Sequence, residues 1–368
     1  MNKRYDINME VLTPLTVGAG NENEWIRGVD YVVKNGKVYI LDLQKAVVHG
    51  TDIDCLSKLL ASADEKGICE LLGNQLDDTS RYIFCLPALS VNPIKSFLRS
   101  QFHDKPLVAG SSLKGALRSI LFSRFRQDEQ NDTSVLGSIR ERYGTDFMQF
   151  IQVGDIEMQS TSLVNTRLFN LWKERNRNEW HGGWKHANNF TSKDYQPSGF
   201  NTLYECIPPG QSGRGTIKFS ADAFETVLQD PKLSLKVKYA DAKKELLNGG
   251  IESLFGFVND ITWDYLLKEK EFFEHYKDAE RTDEILEFIE DMLDLVPKKN
   301  SYCILKMSAG SGFHSITGDW KYDDFIDTGY RTKYINGAET KIPLYKSRKI
   351  VEYNKGLQLM GFVKLSVL

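Results

Sequence analysis

The stretch Pro106-Leu-Val-Ala-Gly110-Ser-Ser-Leu-Lys-Gly115-Ala-Leu-Arg118 passes from a short apolar run through small residues into a helical pattern. Leu113, Leu117, Ile120 and Leu121 recur at helical spacing, which predicts a helix with Ser111 or Ser112 as its cap. The first turn of a helix carries amides without helical partners, and its dipole end is positive, so it attracts anions. Ser111 and Ser112 add hydroxyl donors, Gly110 and Gly115 allow a sugar-phosphate backbone to come close, and Lys114 and Arg118 share one edge. An ordinary capped helix, with a glycine packed against a neighbour, accounts for the same residues equally well.

On the amino-terminal side, Tyr5, Ile7, Met9 and Val11 alternate with polar neighbours over Lys3 to Leu12, a half-buried strand. A Pro/Gly loop, Thr13–Asn21, leaves it. Val29–Val33 and Lys37–Leu41 flank Asn35-Gly36, a dipeptide suited to a two-residue hairpin. A short helix is predicted over Asp52–Ala61, and a loosely patterned connection over Ser62–Ser80. On the carboxyl side come a strand at Phe150–Val153 and an aromatic excursion over Leu171–Gly199 without clean periodicity. Pro208-Pro-Gly210 marks a break before a strand at Gly215–Phe219. A helix capped by Thr282 carries Ile285, Phe288, Ile289, Met292 and Leu293 on one face and acids on the other. Strands follow at Tyr302–Met307 and Leu357–Val367. The mixture predicts an α+β protein.

The chain has 368 residues. At ~150 residues per domain this predicts two domains, placed at 1–205 and 206–368. Five scattered cysteines without a C-x-x-C pair read as reduced thiols. The start of the chain lacks the apolar core of a secretion signal, and no apolar run approaches the ~18 residues of a membrane span. These features point to a cytoplasmic protein with no membrane partner. Net charge is −3, but its distribution is uneven. Arg81–Lys218 holds 18 Lys/Arg against 12 Asp/Glu, Asp260–Asp294 holds 4 against 13, and Arg331–Lys355 holds 7 against 2. A polyanion is drawn to the first and third segments and repelled by the second.

A second glycine-rich element, Gly310-Ser311-Gly312-Phe313 followed by Gly318, offers an amide nest for phosphate beside an aromatic ring for a base. It is neither a Walker loop nor a dinucleotide fingerprint.

The strand ending Leu12-Thr-Pro-Leu-Thr-Val-Gly-Ala-Gly20, the Gly-Ser-Ser-Leu-Lys-Gly-Ala-Leu-Arg helix start and the Gly-Ser-Gly-Phe loop together resemble the RAMP superfamily of CRISPR proteins. Within it, the order of motifs is similar to the fifth-subunit family of type III-A Csm complexes. Phe97-Leu-Arg99, Ile151-Gln-Val-Gly-Asp155, Leu203-Tyr-Glu-Cys-Ile-Pro-Pro-Gly210 and the basic segment from Tyr334 through Lys341-Ile-Pro fit the same order. Ala109 stands where that family has proline, and Gly154 where it has serine. The resemblance implies two ferredoxin-like (RRM-like) domains with glycine-rich loops and a protruding hairpin or loop insertion. It implies a non-catalytic subunit that caps the 3′ part of crRNA and supports crRNA maturation and antiviral defence. Its implied partners are crRNA, target RNA and other Csm subunits, the backbone RAMP subunit above all, with a host nuclease as a further candidate. By position, Gly110, Ser111, Ser112, Lys114 and Arg118 would line the crRNA groove and Gly310, Ser311, Gly312 and Phe313 would supply the second contact. No cofactor and no metal is implied.

Other residues admit simpler roles. Asp30 falls where backbone RAMP subunits carry a cutting aspartate, yet its place against a hairpin strand suits a capping aspartate. His314, beside the second glycine loop, is the candidate for a metal-independent ribonuclease. His181 and His186 flank Trp184 without metal-ligand spacing. The segment Arg167–His186, with Arg167, Trp172, Lys173, Arg175, Arg177, Trp180, Trp184 and Lys185, reads either as a protruding base-stacking element or as a satellite core under a long loop. The alternatives left open are a target-RNA-cutting backbone RAMP subunit, a crRNA-processing endoribonuclease, and a protein-interaction module without RNA.

Overall fold

Alternation in the first strand sets the main sheet. In Lys3–Val11, Ile7, Met9 and Val11 are buried while Arg4 and Asp6 are exposed. The computed structural model describes residues 2–19, 24–87, 93–127, 129, 132–137, 145–173, 180–188, 190–307, 330–335, 338–343 and 347–368. Lys3–Val11 pairs antiparallel with Ser212–Phe219 on one side and Phe362–Val367 on the other. Ile151–Val153 lies beyond Ser212–Phe219, and Tyr302–Lys306 lies beyond Phe362–Val367. With Lys3–Val11, Ile151–Val153, Ser212–Phe219 and Phe362–Val367 numbered one to four in chain order, their spatial order is 4-1-3-2. The helix Gly110–Phe125 lies in the connection from one to two, and Ile251–His275 in that from three to four. Leu113, Leu117 and Leu121 of the first helix and Leu254, Phe255 and Val258 of the second share a core with Ile7, Met9, Ile151, Ile217, Phe219 and Leu365. Apolar residues three and four apart on each helix place that stripe on the sheet.

Tyr302–Lys306 is an edge strand, and the long helix covers its exposed backbone. Asn259 donates to Tyr302 O and accepts from Ile304 N, each at 3.0 Å, while the Thr262 hydroxyl donates to Ile304 O at 2.7 Å. Edge groups satisfied in this way cannot template further strand pairing.

The second sheet is organised by Ser162–Lys173, which pairs with Asn201–Cys206, Trp180–Lys185 and Ser347–Tyr353. Its core joins Phe169, Leu171 and Trp184 to Leu266, Phe272 and Phe273 from the later turns of the long helix and to Ile285, Ile289 and Met292 of Thr282–Leu295. At ~1.5 Å per residue the 25-residue helix reaches ~37 Å, enough to serve both cores. Residues 1–205 and 206–368 each supply strands to both sheets. Among the described residues no helix is long and apolar enough to cross a membrane.

Several expectations hold. Asn35 (φ 52°) and Gly36 (φ 73°) both lie in the left-handed region, as a type I′ turn requires, between Tyr31–Lys34 and Lys37–Leu41. Asp52 caps Ile53–Ala61 through the Cys55 amide at 3.0 Å. Four others are corrected. Ser62–Ser80 is not irregular: Asp64 caps a helix, Glu65–Leu72, that carries Ile68 and Leu72 into a small core with Leu76. Leu357–Val367 is not one strand, because the chain changes sheets at Gly361 (φ 91°), between Gly356–Gln358 and Phe362–Val367. Thr282 is the first helical residue rather than the cap, and its hydroxyl donates back to Ala279 O. The aromatic excursion, expected without clean periodicity, contributes Trp180–Lys185 to a hairpin with Ser162–Lys173 in the second sheet.

Candidate nucleic-acid interface

The helix Gly110–Phe125 starts after Ala109, whose extended backbone occupies the cap position, and no side chain caps it. Ser111 and Ser112 therefore lie in the first turn and are not caps. The Gly110 amide donates to Asp155 Oδ1 at 2.7 Å. Asp155 follows the strand Ile151–Val153 and is steered there by the bond from Gly154 N to Thr216 O at 2.9 Å. The positive end of the helix thus already faces a carboxylate of the same chain, which offsets its pull on a phosphate. Gly110 is buried, and a Cβ there would lie 2.3 Å from Val153 O, so glycine is required by packing against the strand. Gly115 differs: it is exposed, with nothing within 4 Å of an added Cβ. Ser111 and Gly115, four apart, present an open edge, with Lys114 half-buried beside them. Burial lowers the Lys114 ammonium pKa, with Asp146 opposing and Arg118 reinforcing the shift.

Arg118 does not point to a ligand. Its guanidinium binds Asp132 at 3.1 Å, Asp146 at 2.8 Å and Gly137 O at 3.3 Å. Asp146 also accepts from the Met148 amide at 3.1 Å, so Arg118 ties the helix to the segment leading into the sheet. The cations that sequence reasoning missed lie on the outer face of the sheet. Arg214 and Lys218 are exposed and alternate along Ser212–Phe219, and exposed Arg4 pairs opposite Lys218. Arg214 lines an open cleft of about 470 Å3 with Asp6, Asp155, Gly215, Thr216 and Leu368, next to the helix start. Their signal was present in the sequence as the alternation of Ser212–Phe219, but only pairing with the first strand brings Arg4 beside them.

The expected base-stacking platform is corrected. Trp184 is 3% exposed; its indole N–H donates to Glu280 O at 2.8 Å, and its ring meets Phe169 and Tyr195 edge-on. Arg167 is 4% exposed and donates to Pro197 O and, at 2.9 Å, to Gly199 O, with Tyr195 Oη at 3.3 Å. Trp184 serves the core that the end of the long helix closes, and Arg167 is held by the segment Tyr195–Gly199. His186 engages Gln196 at 2.9 Å and Ser192 at 2.8 Å through its two ring nitrogens. Among the described residues no group of three or more His, Cys, Asp or Glu could hold a metal ion. Arg175, Arg177, Gly310, Ser311, Gly312, Phe313, His314 and Gly318 lie outside the described residues.

Asp30 closes its own turn by accepting the Ile26 amide at 2.7 Å, as a capping aspartate does. It also lines a cleft of about 530 Å3 with Trp25, Arg81, Tyr82 and Arg99. The floor of that cleft is fastened by Glu205, fully buried, which accepts from Phe97 N at 2.7 Å and Thr161 Oγ1 at 2.6 Å and pairs with Arg99.

Comparison with known proteins follows the same architecture. A family model described as the RAMP superfamily matches residues 8–320. No curated protein matches the sequence. The chain is similar over its whole length to a fully covered chain from the cryo-EM structure of a Csm–crRNA–target RNA ternary complex of a type III-A CRISPR-Cas system, at 17% identity and a TM-score of 0.63. Over 98% of its length it is similar to the crystal structure of Csm5 from T. onnurineus, also fully covered, at 17% identity and a TM-score of 0.57.

Proposed function

The chain belongs to the RAMP superfamily, and from that premise we propose that it is a non-catalytic RNA-binding subunit of a type III-A CRISPR effector complex. In this role it holds the 3′ part of crRNA, supports crRNA maturation and docks on other Csm subunits in the cytoplasm, with the backbone RAMP subunit and target RNA as neighbours. The observation that carries the reading is the open edge of Ser111, Lys114 and Gly115 at a helix start whose partner Asp155 shares a cleft with Arg214, while Lys218 and Arg4 extend the basic row along the outer face of the sheet. These groups offer a strand of phosphates point charges and close approach without reading sequence. The two structural neighbours, one of them a complex with crRNA and target RNA, support the same assignment.

The fold reading extends accordingly. The 4-1-3-2 sheet with two crossover helices forms one ferredoxin-like unit, and the second sheet with its helices forms the other. Near 205–206 the chain passes from Asn201–Cys206 of the second sheet to Ser212–Phe219 of the first, but both sheets draw strands from either side of that point, so the two units are interleaved along the chain.

The test is salt-dependent binding of a repeat-derived single-stranded RNA to the full chain. Binding that weakens linearly in log salt, with Lys114→Ala and Arg214→Ala each lowering the slope by about 0.7, supports the reading. Cleavage of that RNA abolished by Asp30→Asn would instead favour a cutting backbone subunit.

A further inference from the structure

The cleft beside Asp30 has no part in the phosphate-binding edge described above. Trp25 and Tyr82 line it with ring centroids 6.3 Å apart, and Phe84 packs against both. The Arg99 guanidinium lies 3.8 Å from the Tyr82 ring centre and that of Arg81 5.4 Å from it. The lining charges cancel, Glu24 and Asp30 against Arg81 and Arg99. Both arginines are already paired, Arg81 with Asp104 and Arg99 with Glu205. A phosphate in this cleft would gain no net attraction and would compete with the two carboxylates, Asp104 and Glu205, that already hold the arginines. A flat, uncharged ring with hydrogen-bonding edges is matched instead. Indole, phenol and guanidinium all offer stacking surfaces, and a carboxylate has acceptor capacity beyond the one bond Asp30 makes to Ile26. The volume of about 530 Å3 lies within the range of small-ligand sites.

We propose that this cleft, bounded by Trp25, Asp30, Arg81, Tyr82 and Arg99, receives one unpaired base of a bound single-stranded RNA while the phosphates stay outside. The proposal rests on the RNA-binding reading above. Paired backbone joins the two places: Leu98 N donates to Val17 O and Leu107 N to Leu98 O, each at 2.9 Å, and Leu107 is three residues before Gly110. From a strand spacing of ~4.8 Å and a rise of ~3.3 Å per residue, the cleft floor lies no more than about 15 Å from the helix start, within reach of one short RNA segment.

The experiment is photocrosslinking of the full chain with an oligouridine carrying 5-iodouridine, adducts being mapped by mass spectrometry, beside binding measurements on Trp25→Ala and Trp25→Phe. Adducts on Trp25 or Tyr82, with affinity about 5- to 150-fold weaker in Trp25→Ala and near normal in Trp25→Phe, are expected. RNA bound with normal salt dependence but crosslinked only elsewhere overturns the cleft and leaves the RNA-binding reading intact. No RNA retained even at low salt overturns both. Adducts on the same residues from free 5-iodouridine at equal concentration would assign the cleft to a small nucleoside and overturn the RNA assignment. Should Trp25→Ala fail to fold, the crosslink map on the unmodified chain decides.

Discussion

Arg118→Ala separates a structural cation from a ligand-binding one, and the structure fixes the expected size. Arg118 is 22% exposed, and its partners Asp146 and Asp132 are 8% and 31% exposed. Breaking a fully buried ion pair costs about 3–5 kcal/mol and an exposed one about 0–1 kcal/mol. An arrangement between these limits loses about 2 kcal/mol. With an unfolding entropy of ~2.1 cal/mol/K per residue over 368 residues, this lowers Tm by about 2–3 °C. Differential scanning calorimetry reads that shift, and RNA titrations at several salt concentrations read the slope. Arg118→Ala is expected to lower Tm and leave the slope unchanged, because the guanidinium faces carboxylates of its own chain. Lys114→Ala is expected to do the reverse: Tm stays within about 0.5 °C, since removing a partly desolvated ammonium relieves a cost, and the slope falls by about 0.7. An unchanged Tm with a reduced slope in Arg118→Ala would refute the reasoning.

Three further outcomes follow from buried groups. Glu205→Ala leaves Arg99 and the Phe97 amide without their acceptor and should cost about 3–5 kcal/mol in urea denaturation; a loss under 1 kcal/mol would show that the carboxylate is not the fastener of that strand. Trp184→Ala should cost about 3–5 kcal/mol and leave the salt slope of RNA binding unchanged, whereas a wild-type Tm with weakened RNA binding would restore the exposed platform. Burial pushes the Lys306 ammonium down to about 8 against 10.5 unfolded, so below pH 8 it is protonated in both states and above it the unfolded chain binds more protons. Stability should therefore rise from pH 8 to 9, with a smaller rise in Lys306→Met; a pH profile identical in the two proteins would exclude that contribution. Above pH 9 the buried Cys206 and Cys303 thiols, both raised by burial, act in the opposite direction.

Local pattern made much of the fold legible. The first strand, the Asn35-Gly36 hairpin, the Asp52-capped helix and the helix after Gly110 each depend on neighbours within a few residues, and each formed where its spacing placed it. The missed elements had signals of the same kind. Ile68, Leu72 and Leu76 recur every four residues, and Leu254, Phe255 and Val258 form an apolar stripe on the long helix, but surrounding polar and acidic residues masked both.

The sequence by itself determined an α+β chain, a helix through Leu113–Leu121 and the separation of basic from acidic segments, because periodicity and charge are properties of nearby residues. Only the tertiary structure decided what those residues do. Whether a cation is free or spent depends on carboxylates 14 and 28 residues away for Arg118, and whether an indole is exposed depends on a backbone oxygen 96 residues away for Trp184. The same holds for Asp155, 45 residues from the amide it occupies, and for Arg4, which joins Arg214 and Lys218 only through strand pairing. Such partners are set by long-range packing, which leaves no trace in the spacing of neighbours along the chain.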